Sequence, residues 1–232
     1  MKNSMAVYAK QDESAMARDL NEHFKSKGLQ FVATDTGGSG HDSDVTVRHM
    51  LTEEPINKFE AKRSGGSRTD FGQFRIYYEP ACGWQFHETS KSTSIAKFVF
   101  NLIKPQLDTN VCGNFPTGPA LSEVGAQEFW DAHEPGRQLS ICGDVLKVPI
   151  PSSVISNYYA EKENDYIKVG KDLYSLLGDE IIPTFESMIK ESYALLRIKY
   201  HKKNRYSYTI AFRMKCDSSE DTEFFTALNK IY

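Results

Sequence analysis

Two short apolar runs carry charged residues where extended chains would bring them face to face. The first, Asp44-Val-Thr-Val, opens on a carboxylate, and the second, Ile56-Asn-Lys-Phe-Glu-Ala-Lys62, ends on an acid and a base separated by one residue. Both have the length and composition of strands, expected over 44–50 and 56–62. Residues i and i+2 of a strand point to one face, so Glu60 and Lys62 project together while Ala61 turns away. If the two strands are hairpin neighbours, Asp44 falls beside Glu60. Two carboxylates and an ammonium then share one pocket. Hard divalent cations such as Mg²⁺, with Mn²⁺ as a substitute, take carboxylate oxygens plus water and phosphate.

The surrounding chain supplies a frame for these strands. Residues 11–27 read as a helix, with Met16, Ala17, Leu20 and Phe24 along one side and Gly28 as its stop. Glu13 lies seven residues before Leu20 and shares that side, an odd place for an acid unless it complements the helix dipole or reaches a site. Leu29–Ala33 reads as a first strand, followed by a Gly-rich, Asp-bearing loop that lacks the Lys-Ser/Thr ending of a phosphate-binding loop. After Lys62 the chain runs through a Gly-rich turn at 64–68. Asp70 then reads as the cap of a helix over 71–78, Gly83–His87 as a strand, and Thr93–Lys104 as a helix with Ile95, Phe98, Val99 and Leu102 as its apolar stripe.

At Asp44, Glu60 and Lys62 the chain resembles the PD-(D/E)XK nuclease superfamily of restriction enzymes and junction resolvases, with Ser43 in place of the motif's usual proline and Asp42 close enough to serve instead of Asp44. The resemblance spans roughly residues 11–104. It implies an α/β, restriction-endonuclease-like fold, a mixed sheet flanked by helices in the order helix, three strands, helix, strand, helix. It also implies Asp44 and Glu60 as Mg²⁺ ligands, Lys62 as the catalytic lysine, Gln73 as a site residue on the helix after the strands, and Glu13 as an additional metal ligand. A metal so held activates water and neutralises charge on a phosphodiester. The bland alternative is a solvated Glu-Lys pair on an exposed strand, worth little to stability.

Composition fits such a role only when charge is resolved along the chain. Of 232 residues, 40% are apolar and 12% aromatic, which suffices for a packed core. No run approaches the ~18 apolar residues of a membrane span. The N-terminus has no apolar signal region, and Cys82, Cys112, Cys142 and Cys216 form no Cys-x-x-Cys pair. The expectation is a cytoplasmic protein with reduced thiols and no zinc site. Net charge is −3, yet Lys190–Lys215 holds eight Lys/Arg against the single acid Glu191. A concentrated basic strip is the footprint of phosphate contacts, although a solvated face reads the same way.

The strip falls on an expected hairpin, Tyr193–Tyr200 and Tyr206–Lys215, that offers Arg197, Lys199, Lys202, Lys203 and Arg205 to nucleic acid. Before it come a helix at Val154–Lys162 and two short strands in 165–176, and after it a closing helix at 222–230. The organisation read from this is a nuclease core at 1–104, a Pro/Gly-rich insertion or recognition segment at 105–151 with helical pattern at 121–132, and an α+β part at 152–232. The expected function is a Mg²⁺-dependent endonuclease on double-stranded DNA, with a homodimer suited to cutting two antiparallel strands. Alternatives are a non-catalytic nucleic-acid-binding or assembly protein on the same fold, and a nuclease for RNA or branched DNA.

Overall fold

A computed structural model describes residues 4–36, 43–63, 71–79, 82–88, 93–111, 146–178, 181–201 and 205–232. The expected helix at 121–132 and the turn at 64–68 lie outside these residues, as do Asp42 and Asp70. The chain is mixed α/β, with two five-stranded sheets and five α-helices among the described residues. No helix among them is long and apolar enough to cross a membrane. The residues group into two compact units, each discontinuous in sequence: residues 1–69, 156–190 and 216–232 form one, and 70–155 and 191–215 the other. This differs from the three successive segments read from composition.

In the first unit, helix α1 (Ser4–Lys27) leads into strands β1 (Phe31–Asp35), β2 (Val45–His49) and β3 (Pro55–Lys62). These three are antiparallel neighbours in chain order. The chain departs after residue 69 and returns along helix α3 (Ser152–Ala160) into strands β7 (Tyr166–Val169) and β8 (Asp172–Ser175). Strand β7 lies parallel to β3, with Phe59 opposite Tyr166 and Glu60 opposite Ile167. A parallel neighbour requires a crossover rather than a hairpin, and α3 belongs to that crossover. β8 then pairs back on β7 through a tight turn at Gly170, whose φ of +64° is a left-handed conformation that a glycine adopts without a Cβ penalty. Helix α4 (Phe185–Met188) and the closing helix α5 (Phe224–Ile231) complete the unit.

Alternation along the strands divides this sheet into two faces. Ala33, Val45, Val47, Phe59, Tyr166 and Leu173 point to one side, where Met16, Leu20 and Phe24 of α1 and Phe224, Ala227 and Leu228 of α5 form the main core. Thr46, Glu60, Ile167 and Tyr174 point to the other and are buried there. The aromatic end of the chain is stitched in as well: Tyr232 packs edge-on against Phe24 at 4.9 Å and donates its hydroxyl to Asn57 Oδ1 at 2.7 Å.

The second unit holds strands β4 (Gln73–Glu79), β5 (Gly83–Phe86), β6 (Lys147–Pro149) and most of the long hairpin β9 (Ile189–His201) and β10 (Arg205–Cys216), ordered β5-β4-β10-β9-β6. Helix α2 (Ser94–Gln106) starts where Thr93 accepts the Ala96 N–H, and passes into a π-helical turn at Leu107–Val111. Two expectations are corrected here. The segment 71–78, read as a helix, is strand β4, because Phe74 and Ile76 are buried while Gln73, Arg75 and Tyr77 are exposed, the period of a strand. Helix α2 buries Ala96, Val99, Phe100 and Ile103, while Phe98 and Leu102 face out. Apolar residues lie all round this helix, so its sequence left the buried face undecided.

Sheet one has an edge at β1, and the sequence protects it. The backbone N–H and C=O of Ala33 point outward from that edge, and Asn21 on α1 takes both: its Nδ2 donates to Ala33 O and its Oδ1 accepts from Ala33 N, each at 2.8 Å. Unmet edge groups are costly when partly buried and invite pairing with another chain. Asn21→Ala leaves both backbone groups unpaired and is expected to destabilise the protein by about 1–3 kcal/mol, read from the urea midpoint at unchanged slope.

Candidate functional site

The register of β2 and β3 builds the site. Val45 stands opposite Phe59, so the next residue outward, Asp44, stands opposite Glu60 and shares its face. Residue 44 is also where β2 ends as a ladder. Its own N–H still donates to Phe59 O at 3.0 Å, and its carbonyl accepts from Thr36 N at 2.9 Å. Beyond that point, among the described residues, β3 continues without a partner strand on this side. The Asp44 carboxylate fills the gap: Oδ2 accepts the Ala61 N–H at 2.8 Å. A backbone donor that would otherwise be orphaned is thereby satisfied, and the carboxylate is fixed beside Glu60.

Glu60 and Lys62 meet as strand geometry requires. Lys62 Nζ lies 2.5 Å from Glu60 Oε1, with side chains 22% and 7% exposed respectively. This is an interior ion pair rather than a solvated one. Burial is the main influence on the Glu60 carboxyl and raises its pKa; the adjacent Lys62 opposes the rise and Asp44 adds to it. Burial works against the Lys62 ammonium, but the Glu60 and Asp44 carboxylates outweigh it, and its pKa is raised. Lys62 is therefore a firmly protonated cation. Its Nζ also sits 5.7 Å from the centre of the Tyr159 ring on α3, within the range of a cation–π contact.

Glu13 reaches this neighbourhood from α1. Its carboxyl pKa is raised, first by burial, then by the charges of Asp44 and Asp35, with Lys62 opposing and Glu60 adding a further rise. Four carboxylates, Glu13, Asp35, Asp44 and Glu60, and the Lys62 ammonium thus act on one another at one end of the sheet. Among the described residues no three His, Cys, Asp or Glu side chains come close enough together to chelate an ion directly. The site's geometry is two carboxylates on one face with a third in its outer field.

Gln73 is not on a helix. It opens β4 in the second unit, opposite Ala211 of β10, which removes the helical placement on which its expected role rested. The residues that a crossover helix does bring to the site are Tyr158, Tyr159 and, just past its end, Lys162. Lys162 stands 4.9 Å from the Tyr158 ring centre, and its charge acts on Glu60. Sequence reading missed them because the helix at 154–162, although legible, follows β3 only after the whole intervening segment. A Tyr-Tyr pair and a Lys at the end of a helix that leads into a strand was the available signal.

On the hairpin, Lys190 is engaged by Asp217 at 2.6 Å and Lys215 by Glu191 at 3.0 Å. Lys202 and Lys203 lie outside the described residues, as do the side chains of Arg197, Lys199 and Arg205; the backbones of these last three belong to β9 and β10.

A buried ion pair is an expensive arrangement for stability alone. Lys62→Met on its own strands the Glu60 carboxylate and is expected to destabilise by about 3–5 kcal/mol, whereas Glu60→Leu combined with Lys62→Met is expected to be neutral or stabilising by about 1–4 kcal/mol. Denaturant titration of the two proteins at pH 8 measures both. A double variant as unstable as the single one would mean that the pair is structural.

Comparison of the chain with protein-family models, with curated proteins and with solved structures found no match.

Proposed function

We propose that this protein is a metal-dependent endonuclease that hydrolyses DNA phosphodiester bonds. The observation that carries the reading is the meeting of Asp44 with the buried Glu60–Lys62 pair where β2 stops and β3 runs on. The arrangement of the first unit supports it. Helix α1, strands β1 to β3, helix α3 and a strand β7 parallel to β3 follow the order helix, three strands, helix, strand implied by the resemblance to PD-(D/E)XK nucleases. On this reading the second helix and fourth strand of that order are α3 and β7, which follow β3 only after β4, β5, α2 and β6, rather than segments 71–78 and 83–87, and the core draws on residues beyond the 11–104 span of the resemblance.

The donor set fits Mg²⁺, or Mn²⁺ in its place. Such an ion takes one or two protein carboxylates and completes its shell with water and substrate phosphate, and Asp44 and Glu60 supply that pair. When bound, the ion supplies an activated water and neutralises charge on the phosphate. Asp44, held by the Ala61 N–H, orients its carboxylate without a side-chain rearrangement. Lys62, held protonated by its carboxylate neighbours, offers an ammonium to the negative charge that builds on the phosphodiester. Its protonation favours this role over that of a general base. Tyr159 limits where the ammonium can swing.

Asp44→Asn, Glu60→Gln and Lys62→Ala are each expected to abolish cleavage of linear and supercoiled DNA. Double variants should be little worse than singles, since the groups act as a unit. Activity should require Mg²⁺ or Mn²⁺ and cease with a chelator; full activity of Asp44→Asn, or metal-free cleavage by the wild type, would end the assignment. Running the same variants on RNA and on branched DNA separates those substrates.

The basic hairpin is the proposed contact to the DNA backbone. Lys190 and Lys215 pair with acids; the contact is assigned, as the sequence offers it, to Arg197, Lys199, Lys202, Lys203 and Arg205. Neutralising Lys199, Lys202, Lys203 and Arg205 together should weaken binding alike for all sequences. It should also flatten the slope of log affinity against log salt by about 0.9 for each phosphate no longer neutralised. Titrations in Ca²⁺ at several salt concentrations read both quantities.

A further inference from the structure

Glu13 is flanked on α1 by two residues that are each tied to the end of a different strand. Asp12 forms an ion pair with Arg63, the residue that follows β3. Ser14 donates its hydroxyl to Asp35 Oδ2, at the end of β1, at 2.5 Å. Successive helical residues project about 100° apart, so anchoring residues 12 and 14 to opposite sides aims residue 13 between them. In the sheet, β2 lies between β1 and β3. The antiparallel order puts the end of β1, the start of β2 and the end of β3 at one edge, with Asp35 opposite Val45. The residue just before β2 is Asp44. Two struts that reach β1 and β3 therefore hold Glu13 over the end of β2 from the α1 side of the sheet, where the charges of Asp44, Lys62 and Glu60 act on it.

We propose that the Asp12–Arg63 and Ser14–Asp35 contacts are struts that hold Glu13 as the outer carboxylate of the cation site, which makes Arg63 and Ser14 positioning residues for metal binding. The proposal rests on the reading of Asp44 and Glu60 as metal ligands. A cation of this class keeps several waters, so Glu13 serves by accepting a hydrogen bond from a metal-bound water without touching the ion. Partners of this outer kind measurably tune affinity at metal sites.

The sign of one substitution separates positioning from simple electrostatics. Arg63 is a cation adjacent to the site. If only its charge mattered, removing it would strengthen binding of a divalent ion. If it holds α1 in place, removing it releases Asp12, lets Glu13 drift and weakens binding. Ser14→Ala adds a charge-neutral test from the other strut.

The experiment is calorimetric titration of the full-length, DNA-free protein with Ca²⁺. Arg63→Ala and Ser14→Ala should each weaken Ca²⁺ binding about three- to fivefold, the scale of one half-exposed contact, and Glu13→Gln by roughly tenfold or more. In the Glu13→Gln background Arg63→Ala should add no further loss, the non-additivity expected of residues that act through one another. The swap of Asp12→Arg with Arg63→Asp should restore affinity to about the wild-type value, because it rebuilds the strut at unchanged net charge. Unchanged or tighter binding in Arg63→Ala together with unchanged binding in Ser14→Ala overturns the struts, while loss of Ca²⁺ binding in Asp44→Asn still upholds the metal site. A wild type that binds no Ca²⁺, or binding indifferent to Asp44→Asn, overturns the metal reading and the struts with it.

Discussion

The hydrogen bond from the Ala61 N–H to the Asp44 carboxylate is the contact around which this end of the first sheet is organised. Strands β2 and β3 pair up to residue 45, across a register shift between Val47 and Arg48, and β3 then continues for three more residues. A side chain completes the pairing there in place of a backbone. That substitution turns the Asp44 carboxylate toward the continuing stretch of β3, and the period of two puts Glu60 and Lys62 on one face. Parallel pairing with β7 on the far side of β3 keeps this stretch extended, since Glu60, Ala61 and Lys62 each have a register partner there. One local satisfaction of a backbone donor thus positions three ionisable groups.

The ionised form of Glu60 opposes stability, whereas Lys62, its pKa raised, is held as a cation. Glu60 is 5% exposed and has a carboxyl whose ionisation burial disfavours. Sign follows directly: a carboxyl with its folded pKa raised is bound to a proton more readily in the folded than in the unfolded chain, so ionising it as pH climbs through that window costs stability. Glu13 is shifted in the same direction. A protein selected only for folding would replace such groups with apolar residues, as the faces around Phe59 and Tyr166 do. Under the proposed reading, Lys62 is the internal counter-charge of carboxylates that serve a cation.

Sequence legibility followed the range of the interaction. Strands β2 and β3, and Asp44 beside Glu60, could be read because a hairpin is local and its alternation is clean. Helix α1 was legible from Met16, Leu20 and Phe24, and the turn at Gly170 from its flanking strands. The segment 71–78 misled because an Asp before an apolar run looks like a helix cap, while Phe74, Ile76 and their exposed neighbours Arg75 and Tyr77 carry the strand period. What no local pattern could supply was the partner of β3 on its far side. β7 and the crossover helix with Tyr158, Tyr159 and Lys162 come after a long excursion that builds most of another sheet. A parallel pairing of that span leaves no periodic trace in either strand.

The charge arrangement also dictates an order of events under the proposed reading. Burial, then the charges of Asp44 and Asp35 and, more weakly, Glu60 raise the pKa of Glu13, with Lys62 opposing; the acids here outnumber the Lys62 ammonium and set a negative field around it. Such a field repels a phosphodiester. A divalent cation placed among these carboxylates reverses the local sign and frees the Lys62 ammonium from sole duty to Glu60. Phosphate affinity at the site therefore rises with metal occupancy, and by reciprocity metal affinity rises with bound DNA to the same degree. The basic hairpin escapes this dependence, because its cations are positive whether or not the metal is present. Recruitment of DNA can thus precede the metal, while engagement of the scissile phosphate waits for it.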